Sequence, residues 1–262
     1  MKQVQRNLAK IDGVSFFGGD ATACLAYLAA RLARGEQTVV YTPNPIMLEN
    51  AARDPAFRAV LLRADLNLPD GVGVVLAAKL LDEGIEGRLS GVDMAARALM
   101  LAAKRGYRVF LLGGRDGVAR EAAARLVARL SGLCVCGTRN GYFSAAQTQD
   151  VLEEIRSAKP DILLVCLGSP KQEDFIDRYR AALPDVKLFM ALGGTLDVFA
   201  GRTRRAPTVV QKIGLEWLWR MACEPRRLRD LPKMVAFSCR ILKKCCHSAQ
   251  TKQIKGAILK KM

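Results

Sequence analysis

The sequence contains a single histidine, His247, among its 262 residues. That scarcity disfavours zinc proteases, histidine-based triads and two-histidine metal sites. Aromatic residues make up only 6% of the chain. No uninterrupted apolar run approaches the ~18–20 residues of a membrane span. The opening segment, MKQVQRNLAKIDGV, lacks the apolar core of about 7–15 residues that a signal peptide needs. A cytoplasmic protein is therefore expected. The eight cysteines include no paired CxxC knots of the zinc-ribbon type. Cys134 and Cys136 alternate as in a strand, Cys166 lies in an apolar run, and Cys245 and Cys246 sit in a basic tail. They read as small buried hydrophobes and tail thiols. The P-loop GK[ST], the spaced GxGxxG fingerprint and a convincing DxD metal motif are missing as well. Asp174 and Asp177 stand at a helical i, i+3 spacing instead.

What the chain has in excess is positive charge: 41 Lys and Arg against 25 Asp and Glu, a net +16. The excess is uneven. Residues 1–201 hold 25 basic and 22 acidic residues, a net +3, whereas residues 202–262 hold 16 basic and 3 acidic, a net +13. A near-neutral body thus carries a cationic appendage. Such an appendage calls for an anionic partner: a phospholipid surface, nucleic acid or a diphosphate-bearing substrate. With 50% hydrophobic residues, the chain can bury a large core.

Residues 1–201 alternate between strands and helices. Strands are expected at Gln37–Tyr41, Leu66–Leu68, Arg108–Leu112, Leu133–Gly137, Asp161–Leu167 and Lys187–Leu192. Helices are expected at Ala21–Arg34, Ile46–Arg63 with an interruption at Asp54-Pro55, Val72–Leu81, Asp93–Arg105, Val118–Leu130, Ala145–Ser157, and from Pro170 through Arg180. This order implies an α/β fold with a mostly parallel sheet covered by helices on both faces. Beyond Gly201, Ala206-Pro207, Glu224-Pro225 and Leu231-Pro232 divide the tail into basic amphipathic helices of about 10–15 residues.

Open parallel sheets bind ligands beyond the carboxyl ends of their strands. The loops there are 42–44, 69–73, 113–117, 168–173 and 193–197. Four contain glycine, which lets backbone amides approach a phosphate; Gly113 and Gly114 could equally make a tight turn. Asp70, between Pro69 and Gly71, is either a general base or the N-cap of the following helix. Thr42 and Asn44 are candidates to bind sugar or phosphate, Asn44 also to cap the helix that Pro45 begins. Gln172 offers a donor and an acceptor to a hydroxyl-rich ligand. Arg88 could grip a phosphate bidentately.

Eight ordered blocks add a resemblance. TPNP (42–45), LPDGVGVV (68–75), GRLSGVD (87–93), FLLGG (110–114), GTRNGYF (137–143), DILLVCLGSPKQE (161–173), LGGTLDVFAGRTRRAP (192–207) and WLWRMACEPRRLRD (217–230) together resemble the WecG/TagA/CpsF family of bacterial glycosyltransferases. The resemblance runs from about residue 10 to about residue 235. It implies a Rossmann-like catalytic domain over 1–201 and a basic helical appendage over 202–262. The implied reaction is inverting and metal-independent, with no cofactor. It transfers an N-acetylmannosamine-type sugar from a UDP donor to undecaprenyl-diphosphate-linked N-acetylglucosamine, in teichoic-acid-linkage or capsule-type polysaccharide synthesis. The same resemblance makes Asp70 the base and puts Thr42, Asn44, Arg88, Tyr142 and Gln172 at the substrates. It also assigns Arg226, Arg227 and Arg229 to the diphosphate, under a tail that closes over the site at the inner face of the cell membrane. It leaves homo-oligomers open. One departure is Ile46, where many relatives carry Glu.

The implied chemistry is self-consistent. The leaving UDP develops negative charge, and arginine can stabilise it in place of a metal. Alternatives are the uronic acid form of the donor sugar, a non-catalytic nucleic-acid-binding protein drawn from the +13 tail, and a Rossmann-type dehydrogenase. The last lacks the dinucleotide fingerprint.

Overall fold

The computed structural model describes the backbone of residues 8–259 and the side chains up to residue 247, apart from Lys212, Arg220 and Arg226. Six parallel strands form its central sheet: β3 (Thr38–Tyr41), β4 (Leu66–Asn67), β5 (Arg108–Gly113), β6 (Cys134–Arg139), β7 (Ile162–Cys166) and β8 (Leu188–Ala191), in the order β4-β3-β8-β7-β5-β6. All six coincide with strands expected from the sequence. The central strands are apolar at every position because both of their faces are covered, and β7 is buried throughout.

Alternate strand residues feed two cores. Phe110, Leu112, Leu163, Val165 and Phe189 face one side, packed by α2 (Pro45–Arg53), α3 (Pro55–Leu62), α4 (Val72–Leu80), α7 (Thr148–Ala158) and α8 (Lys171–Tyr179). Val109, Leu111, Ile162, Leu164 and Met190 face the other, packed by α1 (Ala21–Ala33), α5 (Gly91–Arg105), α6 (Val118–Arg129) and the short α9 (Thr195–Phe199). The interruption expected at Asp54-Pro55 divides 46–63 into two helices. Asp54 ends the first and caps the second, its carboxylate accepting from the Ala56 and Phe57 amides at 2.9 and 3.2 Å.

A hairpin lies outside the elements read from the sequence. β1 (Leu8–Ile11) and β2 (Val14–Phe17) pair antiparallel around Asp12 and Gly13, both at positive φ (54° and 80°). Asn67 in the edge strand β4 donates to Ser15 O at 3.2 Å and Leu61 O at 3.0 Å, which ties the hairpin to the sheet edge.

The tail departs from expectation in two places. A continuous helix over 209–221 is replaced by α10 (Thr208–Lys212) and α11 (Glu216–Cys223), separated at Gly214, whose φ is +78°. A Cβ on Gly214 would sit 2.9 Å from the Val72 side chain, so the break is also where the tail presses on α4. A 3-10 turn (Pro225–Asp230) then leads into α12 (Leu231–Leu259), a single 29-residue helix rather than a short one. Phe237 and Ile241 of α12 are 2% exposed and belong to the first core. Their burial stabilises the docked tail by on the order of 1.5–3 kcal/mol each. Among the described residues, no helix is long and apolar enough to cross a membrane.

Candidate active site

Beyond the carboxyl ends of β3 and β4, the body and the tail enclose a cavity of about 290 Å³. The body contributes Asn44, Ile46, Asp70, Leu76 and Arg88, and the tail contributes Glu216, Trp217, Met221, Arg227 and Phe237. The lining thus combines charged groups with apolar side chains.

Asp70 stands where the β4 loop turns into α4. The loop is pinned by backbone bonds from Leu68 N to Tyr41 O (2.8 Å) and from Leu89 N to Pro69 O (2.9 Å). The N-cap position of α4 is Gly71, at φ +98°, and no side chain caps this helix. Asp70 lies one residue too early to serve as a cap, so its carboxylate remains in the cavity. It accepts from Arg88 Nε at 3.3 Å and sits 3.5 Å from the Gly91 amide.

Asn44 is the cap that α2 needs: its Oδ1 accepts from the Ile46 and Met47 amides at 3.0 and 3.1 Å. It also lines the cavity. Thr42 is buried and donates to Ala191 O at 3.1 Å, joining the ends of β3 and β8. Gln172 is buried too. Its Oε1 accepts from the Gly193 amide at 2.8 Å and its Nε2 donates to Glu173 Oε1 at 2.7 Å, so it sets the loop after β8. Glu173 is fully buried and its Oε2 has no partner; burial pushes its carboxyl above the ordinary glutamate range. Gly113 has a packing role: at φ +137°, its Cβ would lie 2.2 Å from Cys166 O. Gly168 and Gly193, also at positive φ, have open space on their Cβ side. Ligand approach is therefore open at those two glycines.

The remaining sequence candidates are dispersed. Tyr142 is 75% exposed and does not line the cavity; its amide donates to Asn140 Oδ1. Arg227 lines the cavity while pairing with Glu224 at 2.9 Å. Arg229 is exposed outside the cavity lining, and the Arg226 side chain lies outside the described residues. Asp177 of α8 pairs with Arg63 at 2.7 Å. No group of three or more His, Cys, Asp or Glu gathers as for a metal among the described residues.

Residues that sequence reasoning passed over extend the ion pairing from Arg88. Arg88 Nη2 lies 2.7 Å from Glu216 of α11, which is itself approached by Arg205 Nε at 3.8 Å; Arg205 in turn binds Asp93 at 2.6 Å. Burial pulls the Arg88 guanidinium down, but the Asp70 and Glu216 carboxylates outweigh it and raise its pKa. The hydrogen bond from Arg205 holds Asp93 below the ordinary aspartate range. The available signal was Glu216 itself, one of three acids in a +13 segment and flanked by Leu215 and Trp217. A carboxylate among apolar neighbours needs a cationic partner.

Comparisons with known proteins identify the family. The family model "Glycosyl transferase WecG/TagA/CpsF family" matches residues 9–251. An N-acetylglucosaminyldiphosphoundecaprenol N-acetyl-beta-D-mannosaminyltransferase of Bacillus spizizenii is 33% identical over 229 residues, covering 86% of this chain and 88% of the relative. The protein of the same name from Bacillus subtilis is 29% identical over 234 residues, covering 89% and 90%. The chain belongs to the WecG/TagA/CpsF family of glycosyltransferases.

Proposed function

We propose that this enzyme transfers N-acetylmannosamine from a UDP donor to N-acetylglucosamine on undecaprenyl diphosphate, with inversion and without a metal. The observation that carries the reading is Asp70: a carboxylate that caps no helix, held by Arg88 in a cavity that a cationic tail encloses. In the reaction, Asp70 accepts the proton of the attacking acceptor hydroxyl. That oxygen bonds to the anomeric carbon as the bond from this carbon to the UDP phosphate breaks. The electron pair leaves with UDP, whose charge arginines from body and tail stabilise. The donor lies over the glycine loops after β5, β7 and β8, with Tyr142 as a stacking face and Thr42, Asn44 and Gln172 shaping the sugar pocket. The acceptor diphosphate enters beside Arg227, with Arg226 and Arg229 on the same turn.

The tail is the membrane-facing part. Leu228, Leu231, Val235 and Leu242 are exposed beside basic residues, the composition of an interfacial helix. Residues 1–201 carry the body of the catalytic site and residues 202–262 its lid. The test is the purified full chain with a prenyl-diphosphate N-acetylglucosamine acceptor and, in parallel, UDP-N-acetylmannosamine and its uronic acid, each with and without EDTA. The expected product is the mannosaminyl disaccharide lipid, unchanged by EDTA. Transfer from the uronic acid donor alone, or loss of activity with chelator, overturns the donor or the metal statement respectively.

A further inference from the structure

The tail contributes two acids to the cavity lining, Glu216 and Asp230, and Glu216 is the one paired with Arg88. It is 4% exposed, although it follows directly on the Gly214 break and lies in a segment otherwise rich in cations. Its carboxylate binds Arg88 Nη2 at 2.7 Å, while Arg88 Nε reaches Asp70 at 3.3 Å, so one guanidinium bridges the two carboxylates. A planar guanidinium bonded through two of its nitrogens to two separate carboxylates has little rotational freedom. Arg205 holds Glu216 from behind, and Asp93 fixes Arg205. The seat of this arrangement is tight, because Gly214 lies against Val72 on the first turn of α4, two residues from Asp70.

We propose that Glu216 is a positioning residue for the transfer reaction, acting through Arg88: seating the 214–216 turn on α4 locks Arg88 against Asp70 and so makes the base competent only when the tail is closed. This rests on the reading of Asp70 as the base. Glu216 touches neither substrate; its effect passes through the guanidinium. Closure of the tail over a bound lipid substrate thereby sets the geometry of the base, which discourages donor hydrolysis when no acceptor holds the tail down.

The test is a double-substitution cycle in the full chain with a soluble short-prenyl acceptor. Glu216→Gln keeps the shape and removes the charge. It is expected to lower kcat by ~10-fold or more while KM for the UDP-sugar stays within ~2-fold, the pattern of a lost transition-state arrangement. In an Arg88→Gln background, Glu216→Gln is expected to lower kcat no further, and to restore part of the melting temperature lost by Arg88→Gln, which strands a buried carboxylate. Multiplicative losses in kcat, or a Glu216→Gln variant with wild-type kcat, overturn the proposal. A second perturbation avoids the buried charges: Gly214→Ala places a methyl on Val72 and should lower kcat with the same KM pattern, and full turnover in that variant also overturns it. A wild-type protein with no transferase activity would instead refute the assigned reaction, so the two failures are distinguishable.

Discussion

Arg240 offers the sharpest test of how the tail is held. Its guanidinium reaches Asp12 Oδ2 at 2.9 Å and also binds Glu49, and it lies over the Phe237 ring at 5.6 Å. The Glu49 side chain is 4% exposed and that of Asp12 is 9% exposed. Arg240→Met keeps the aliphatic stem and removes the charge. Removing one partner of a fully buried pair costs about 3–5 kcal/mol. The loss here is smaller because each acid retains a second cation: Arg53 at 2.7 Å on Glu49 and Lys244 at 2.5 Å on Asp12. Arg240 is also partly solvated. Docking of α12 should therefore weaken by on the order of 2 kcal/mol, about a 30-fold rise in the opening equilibrium.

Because α12 is held mainly by this clamp and by Phe237 and Ile241, the loss should appear as local opening before global unfolding. Hydrogen exchange of the amides from 237 to 245 is the assay, with α5 and α6 as internal references. Glu49→Gln added to Arg240→Met should recover part of the protection, since the stranded charge is then gone. Exchange within ~2-fold of wild type in Arg240→Met, or a double variant no better than the single, would refute the clamp.

Three further outcomes are expected. Asp70→Asn should lower turnover by ~10²–10⁴-fold with acceptor KM little changed, as measured by steady-state transfer; near-normal turnover removes Asp70 as the base. Glu173 binds protons more readily in the fold than in the unfolded chain, so its contribution to stability falls as pH rises through and above the ordinary glutamate range. Glu173→Gln should thus raise the melting temperature near pH 8 and lose that advantage near pH 4, and an equal shift at both pH values would contradict a buried charge. Substituting the exposed Lys243 and Arg229 by Gln should weaken binding to anionic liposomes by about 1 kcal/mol per charge at low salt. Unchanged co-sedimentation would detach those residues from the membrane contact.

The centre of the parallel sheet was legible because strands buried on both faces, β7 and β8, read as unbroken apolar runs. The hairpin Leu8–Phe17 was not, since its strands, LAKI and VSFF, mix polar with apolar residues instead of forming an apolar run, although Asp12-Gly13 is a hairpin turn by composition. The two candidate caps show where local reading ends. Asn44 and Asp70 both precede helices in strand-end loops, yet one caps and the other does not. The difference is the register of a single glycine: Gly71 takes the cap position with a backbone conformation that side chains rarely adopt. The Arg88–Glu216 contact joins residues 128 positions apart and depends on where the tail folds back, which no motif encodes.

That fold-back also changes the meaning of the tail's charge. As a sum, +13 suits nucleic acid and membrane alike. In the structure, Arg202 binds Glu121 at 2.6 Å, Arg205 binds Asp93, Arg240 binds Asp12 and Glu49, and Lys244 binds Asp12. Acids of the body therefore neutralise part of the tail. Lys243 is exposed and takes no part in these pairs, so on the proposed reading it is left for an anionic surface. Salt should consequently weaken surface binding through exposed residues such as Lys243 well before it loosens the Arg240 clamp, whose acids Asp12 and Glu49 are buried. A single screened electrostatic patch would lose both together.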